Sequence, residues 1–136
     1  MRTLSLIIFA LSLTIQPSRA EAVWSSYVNT NRYDFTVTDE QLAKMPVWRE
    51  SEDYPPLSAR KALHLARERL AELVPNSKAW TLDMLSLKEF GDGHWIYLAV
   101  FELIPPGGID GMPATITIPV LMTGVAVEPK VSFWPR

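Results

Sequence analysis

The feature that most constrains this chain is the apolar run at residues 95–104, which reads Trp-Ile-Tyr-Leu-Ala-Val-Phe-Glu-Leu-Ile. It is too short to cross a membrane as a helix, which takes about 20 residues. Its aromatic and β-branched residues favour a β-strand. Both alternating sets of side chains are apolar, so the run predicts a central strand covered on both faces.

One strong helix precedes this strand and can cover one of its faces. Ser58 is a good N-cap residue, and Pro75 stops the helix. Between them, apolar residues recur on one face at the helical spacing. They are Ala59, Ala62, Leu63, Ala66, Leu70, Leu73 and Val74.

Strand patterns on either side of the apolar run predict an antiparallel meander. The apolar phase shifts at Met84–Leu85, which indicates a bulge, and Gly91-Asp92-Gly93 is typical of a hairpin turn. The predicted strands are 80–90, 95–104, 115–122 and 125–128, with a long loop at 105–113. We therefore predict an α+β fold in which one main helix packs on a three- to four-stranded antiparallel β-meander.

Residues 21–56 look least like core, because they are mostly polar with single, spaced aromatic residues. We expect an irregular N-terminal arm, with a short strand at 35–38 and a short helix capped by Thr38 and Gln41. The aromatic residues either fix the arm to the domain surface or belong to a partner-binding arm that orders on contact. The predicted division is a signal peptide at 1–20, the arm at 21–56 and the α+β domain at 57–136.

The first 20 residues have the layout of a signal peptide. Arg2 precedes an apolar stretch at 4–15, and Ser18-x-Ala20 is a suitable cleavage context. The alternatives are an uncleaved anchor or a core helix, but the stretch is short for a span and Pro17 stops a helix. We expect a periplasmic or secreted protein with no membrane span after cleavage.

Cysteine and charge narrow the function classes. The chain has no cysteine, which excludes disulfides, a cysteine nucleophile and cysteine-ligated metal. Removing 1–20 takes away Arg2 and Arg19, which leaves 11 basic and 15 acidic residues, a net charge of −4. With no basic run, nucleic acid is not an expected partner.

Little in the sequence points to catalysis or to a cofactor. The two histidines, His64 and His94, lie 30 positions apart and make no zinc spacing. Asp92 could orient His94, which is the one weak enzyme hypothesis, but no nucleophile motif supports it. Asp92 and Asp110 match no calcium loop. We predict a non-enzymatic protein with no metal site and no cofactor.

Aromatic residues remain as the candidate binding groups. The chain has five tryptophans, which either fill the core of a domain without disulfides or line a groove for a peptide or apolar ligand. The candidate binding residues are Trp24, Trp48, Trp95, Tyr97 and Trp134.

Residues 57–130 carry a family resemblance. Its motifs are Pro56-Leu57-Ser58-x-x-x-Ala62, Trp80-x-Leu82, Gly91-Asp92-Gly93-His94-Trp95-x-Tyr97 and Val120-Leu121-Met122-x-Gly124-x-x-Val127. With these the chain resembles the small secreted PepSY-like, broadly cystatin-like, domains. The resemblance implies one helix across an antiparallel meander and a binding or inhibitory role outside the cytoplasm, with peptidases or cell-envelope proteins as partners. The loop 105–113 and the aromatic arm are not part of a minimal module of this kind.

The sequence therefore predicts an exported binding module that engages or inhibits a cell-envelope or secreted protein such as a peptidase. The alternative is a carrier of a small apolar ligand or peptide in an aromatic groove between helix and sheet. The second face of the strand 95–104 is the open question. The arm, the Phe133-Trp134 tail, a second copy of the chain meeting it through a sheet face or edge, or a ligand could cover it.

Overall fold

The computed structural model describes residues 22–104 and 113–135. The predicted signal peptide, and the loop 105–113 except for Pro113, lie outside these residues. The strands are β1 Ala22–Val28, β2 Asn31–Val37, β3 Thr81–Glu89, β4 Trp95–Leu103, β5 Ala114–Leu121, β6 Val125–Ala126 and β7 Lys130–Phe133. The helices are α1 Asp39–Lys44 and α2 Ala59–Leu73, and a 3₁₀ turn follows at Ser77–Ala79.

The predicted α+β fold is confirmed, with one main helix and two antiparallel sheets. The strand order β3-β4-β5-β6 is the predicted meander. Gly91, Asp92 and Gly93 all have positive φ in the β3–β4 turn, a conformation that favours glycine and aspartate. The register of β3 slips between Leu82 and Met84, next to the predicted bulge.

Helix α2 forms where its pattern predicts. The Ser58 hydroxyl accepts a hydrogen bond from the backbone N–H of Lys61, and so caps the first turn. Ala62, Ala66 and Leu70 are fully buried. Two alanines on the inner face let the helix axis lie close to the meander.

Strand β4 is buried on both faces, but not equally along its length. Tyr97, Ala99 and Phe101 face α2, since the Arg67 guanidinium of that helix lies 4.7 Å from the Phe101 ring centre. On the other face Ile96 is fully buried, whereas Leu98 and Val100 are only half-buried.

The N-terminal segment corrects an expectation. Instead of an irregular arm, the structure has a β-hairpin, β1–β2, at 22–37, followed by α1 with the predicted Thr38–Gln41 capping box. An irregular stretch follows α1 at 45–58. The physical reason is a two-residue alternation in β2, where Tyr33, Phe35 and Val37 are all buried in the core.

The C-terminal tail completes a second sheet with this hairpin. Strand β7 pairs antiparallel with β2, giving the order β1-β2-β7. We expected Phe133 and Trp134 to be an apolar tail, but Phe133 belongs to β7 and is 71% exposed.

A serine joins the two sheets. The Ser26 hydroxyl of β1 accepts a hydrogen bond of 3.0 Å from the Thr117 backbone N–H of β5. Backbone N–H groups of a strand lie in the plane of its sheet, so β1 lies beside the edge of β5. The hairpin is therefore part of the same core as the meander.

Candidate functional site

The structure distributes the five predicted binding residues over three places. Trp48 and Trp95 meet at the β3–β4 hairpin, with Tyr97 two residues further along the same strand face. Trp24 packs edge-on against Phe90, with ring centres 5.3 Å apart. Trp134 lies on the three-stranded sheet, away from these groups.

Trp48 and Trp95 form a groove of about 660 Å³ at the hairpin. Their ring centres lie 5.1 Å apart at 71°, and the Trp95 indole N–H donates to the Trp48 carbonyl at 3.0 Å. The groove is lined by Val47, Trp48, Arg49, Glu50, Ser51, Glu89, Asp92, Gly93 and Trp95. Its mixed lining, in which three of the four charged residues are acidic, suits a polar or peptide ligand better than a purely apolar one.

This groove is not the one that the sequence predicts between helix and sheet. That interface is filled by buried side chains, among them Leu70, Ala99 and Phe101. Which tryptophans meet depends on the path of 45–58, a segment without regular structure.

Tyr97 and Trp24 have structural roles. Tyr97 is 4% exposed, and its hydroxyl donates to the Leu57 carbonyl at 2.8 Å, which fixes the entry to α2. Burial raises the pKa of the Tyr97 phenol. Trp24 is half-buried with its ring on Phe90.

Trp134 belongs to an exposed group that we call the aromatic–arginine cluster, formed by Tyr27, Arg32 and Trp134. Tyr27 and Trp134 are each about half exposed, and their ring centres lie 5.6 Å apart. The Arg32 guanidinium carbon lies 5.8 Å from both ring centres, close enough for a cation–π contact. All three lie on the face of the sheet β1-β2-β7 opposite the buried Tyr33.

Asp34 holds this cluster in place. Its carboxylate accepts from the Ser25 hydroxyl at 2.6 Å and from Arg32 Nε at 2.8 Å. These two hydrogen bonds, that from Ser25 first, lower the pKa of Asp34, while Asp34 raises the pKa of Arg32. The pair therefore stays ionised at neutral pH, and the guanidinium is held beside the rings.

Sequence reasoning missed Tyr27, Arg32 and Asp34. One signal was available, because Asn29-Thr30-Asn31 reads as a turn. A hairpin closed by that turn places Tyr27 directly opposite Arg32, as the structure has it.

The groups proposed for catalysis lie at the β3–β4 turn. His94 Nδ1 is buried and has no hydrogen-bond partner among the described residues. His64 is exposed on α2, with Nε2 3.2 Å from Glu68 Oε1.

Within 22–104 and 113–135, no three histidine, aspartate or glutamate residues are grouped so as to hold a metal ion. The same residues include no helix of the length and apolarity that a membrane span needs.

Comparison with known proteins gives no relative: no family model, no curated protein and no solved structure matches this chain. The resemblance to PepSY-like domains stays a prediction.

Proposed function

We propose that this chain is an exported, non-enzymatic protein-binding module whose contact surface is the aromatic–arginine cluster. The observation that carries the proposal is the half exposure of Tyr27 and Trp134 around a fixed Arg32. Tryptophan, tyrosine and arginine are the residue types most enriched at energetic centres of protein interfaces.

The setting of the cluster supports this role. Tyr27 and Arg32 stand on paired strands, and Asp34 already orients the guanidinium. Side chains held in one arrangement before contact lose less conformational entropy on binding. Export rests on the signal-peptide pattern of residues 1–20, and a cell-envelope or secreted protein such as a peptidase is the partner class that the PepSY-like resemblance implies.

Site-specific photo-crosslinking in the producing cell tests this proposal. A photoreactive residue at Val23, which is exposed on the same sheet face, should give a discrete adduct. Replacing Tyr27 with Ala should remove the adduct and weaken binding of the captured partner about 30-fold, the effect of a hot spot worth roughly 2 kcal/mol. The control is a photoreactive residue at Tyr54, which is exposed in the irregular segment. An adduct pattern unchanged by Tyr27→Ala would contradict the proposal.

A second candidate function is peptide or small-ligand carriage at the hairpin, favoured by the groove at Trp48 and Trp95. Native mass spectrometry of protein from its own host should then show a co-purifying mass. Glu50→Lys reverses one of the charges in the groove lining and should release the bound molecule. A protein that is always empty excludes this function.

A further inference from the structure

The edge of the three-stranded sheet at β7 has exposed apolar side chains. Among the described residues, β7 pairs only with β2. Val131 lies opposite Tyr33, which is buried, yet Val131 is 49% exposed and Phe133 is 71% exposed. Strand β7 thus extends beyond the core, and no part of 22–104 or 113–135 covers its apolar face.

The backbone groups of these residues also point outward. The Trp134 N–H donates to the Thr30 carbonyl at 2.7 Å, so Trp134 faces β2. Because backbone groups alternate in direction along an antiparallel strand, Ser132 also faces β2, while the N–H and C=O of Val131 and Phe133 face away from it. The edge therefore has two donors and two acceptors ready for another strand.

We infer that a second copy of this chain adds to this edge, with β7 antiparallel to β7 about a two-fold axis beside Ser132. This register bonds all the outward groups of Val131 and Phe133, because each of these residues exchanges both hydrogen bonds with the other residue in the second copy. Two such pairs form by symmetry, and Ser132 lies opposite its own counterpart in a pair without hydrogen bonds.

The side chains suit this pairing. Lys130 comes to lie opposite Trp134 of the second copy, where an ammonium and an indole attract each other. Val131 meets Phe133, an aromatic and β-branched cross-strand pair, and no like charges face each other.

Strand β3, which is an edge strand of the meander, lacks these properties. Strand β3 has a bulge after Leu82 and exposed charges at Asp83, Lys88 and Glu89, which are features that discourage edge pairing. Strand β7 has a single charge, Lys130, and the proposed register provides it with an aromatic partner.

The dimer would also enlarge the proposed contact surface, and this consequence rests on the proposed function. A two-fold axis perpendicular to the sheet maps each face onto itself, so both aromatic–arginine clusters would lie on the same side of a six-stranded sheet. A partner could then be bound by two equivalent clusters.

A single cysteine tests the register, because the chain has none of its own. In the full chain carrying Ser132→Cys, the two thiols would stand in a pair without hydrogen bonds, with Cα atoms about 4.5 Å apart, within disulfide reach. We expect a covalent dimer under mild oxidation. The matched control is Lys130→Cys on the same strand face, where the symmetry offsets the two thiols by four residues, roughly 13 Å, too far to bridge.

Three results support the inference. By light scattering, the native chain has twice the mass of one chain, and Phe133→Asp has the mass of one chain. Ser132→Cys crosslinks at least about tenfold faster than Lys130→Cys. A single-chain mass at the highest soluble concentration, or equal crosslinking of the two variants, overturns it. Loss of partner binding in Tyr27→Ala with the dimer intact concerns only the proposed function, so the two failures can be told apart.

Discussion

The indole N–H of Trp95 donates to the backbone carbonyl of Trp48 at 3.0 Å, and the Trp48 N–H donates to the Gly93 carbonyl at the same distance. These two bonds tie the irregular segment 45–58 to the β3–β4 hairpin. The groove at Trp48 and Trp95 exists because of this attachment. Substitutions at the hairpin glycines therefore test whether the segment 45–58 lies against the hairpin.

Gly93→Ala should destabilise the protein more than Gly91→Ala. Both glycines have positive φ, near +74° and +80°, so each substitution costs about 1–2 kcal/mol in backbone strain. A Cβ at Gly93 would also lie 2.5 Å from Val47 Cγ1, whereas one at Gly91 meets nothing within 4 Å. The Val47 side chain must then move, and the Trp48 carbonyl oxygen would lie 3.2 Å from the new Cβ, so Gly93→Ala loses stability beyond the backbone strain.

Urea unfolding of the two variants measures this difference. Equal losses of stability in Gly91→Ala and Gly93→Ala would show that the segment 45–58 is not seated on the hairpin.

Tyr97→Phe should cost about 1 kcal/mol of stability at neutral pH, because the hydrogen bond to the Leu57 carbonyl is lost. Burial raises the pKa of the Tyr97 phenol in the folded protein, so the unfolded chain loses this proton first, from about pH 10 upward. The contribution of Tyr97 is therefore complete below pH 10 and decreases as the pH rises toward the folded pKa.

The advantage of the wild type over Tyr97→Phe should narrow in urea unfolding curves recorded at increasing alkaline pH. Parallel stability curves for the two proteins across that range would contradict the assignment.

Local signals in the sequence were sufficient for the helix and the hairpin. The Ser58 cap, the spacing of Ala62, Ala66 and Leu70, and the turn at 91–93 each lie within a few residues of what they determine. The second sheet could not be predicted in the same way. Strand β7 is four residues long, and its pairing joins Phe133 to Asn31, about a hundred positions earlier. A segment that short carries no periodicity of its own.

The candidate site likewise combines a residue that the sequence predicts with residues that only the distant strand pairing brings to it. Trp134 was predicted as a binding residue from composition alone, but its partners Tyr27 and Arg32 come from the unpredicted sheet. The question about the second face of β4 receives a partial answer. Ile96 is fully buried, whereas Leu98 and Val100 are only half-buried. Met84 of β3, which pairs with Val100, is exposed.

Ser26→Ala should lower the free energy of unfolding by about 1–3 kcal/mol, because the Thr117 N–H loses its acceptor at the junction of the two sheets. Ser51→Ala is the matched control. It removes the same hydroxyl from an exposed side chain of the segment 45–58, and surface substitutions of this kind change stability by about 0.5 kcal/mol or less.

Amide hydrogen exchange locates the Ser26→Ala effect. The Thr117 amide should exchange faster in Ser26→Ala than in Ser51→Ala. If Thr117 is equally protected in both, β1 does not lie on the edge of β5.

In Asp34→Asn, the free energy of unfolding should change less with pH in the acid range. The hydroxyl of Ser25 and the guanidinium of Arg32 hold the pKa of Asp34 below its usual range. A carboxylate with a lowered folded pKa stabilises the protein at pH values above its unfolded pKa, about 3.9, and this contribution is lost as the pH falls through the folded value. The difference between wild type and Asp34→Asn should therefore be full at pH 7 and vanish in strong acid.

Carbon-13 NMR titration of the Asp34 carboxyl tests the cause directly. In Ser25→Ala the pKa of Asp34 should rise toward its usual value, since the Ser25 hydrogen bond is the largest influence lowering it. The Arg32 guanidinium should then lose its fixed position beside Tyr27 at a higher pH than in the wild type. An Asp34 pKa that is ordinary in the wild type, or unchanged in Ser25→Ala, would mean that the carboxylate does not hold the aromatic–arginine cluster in place.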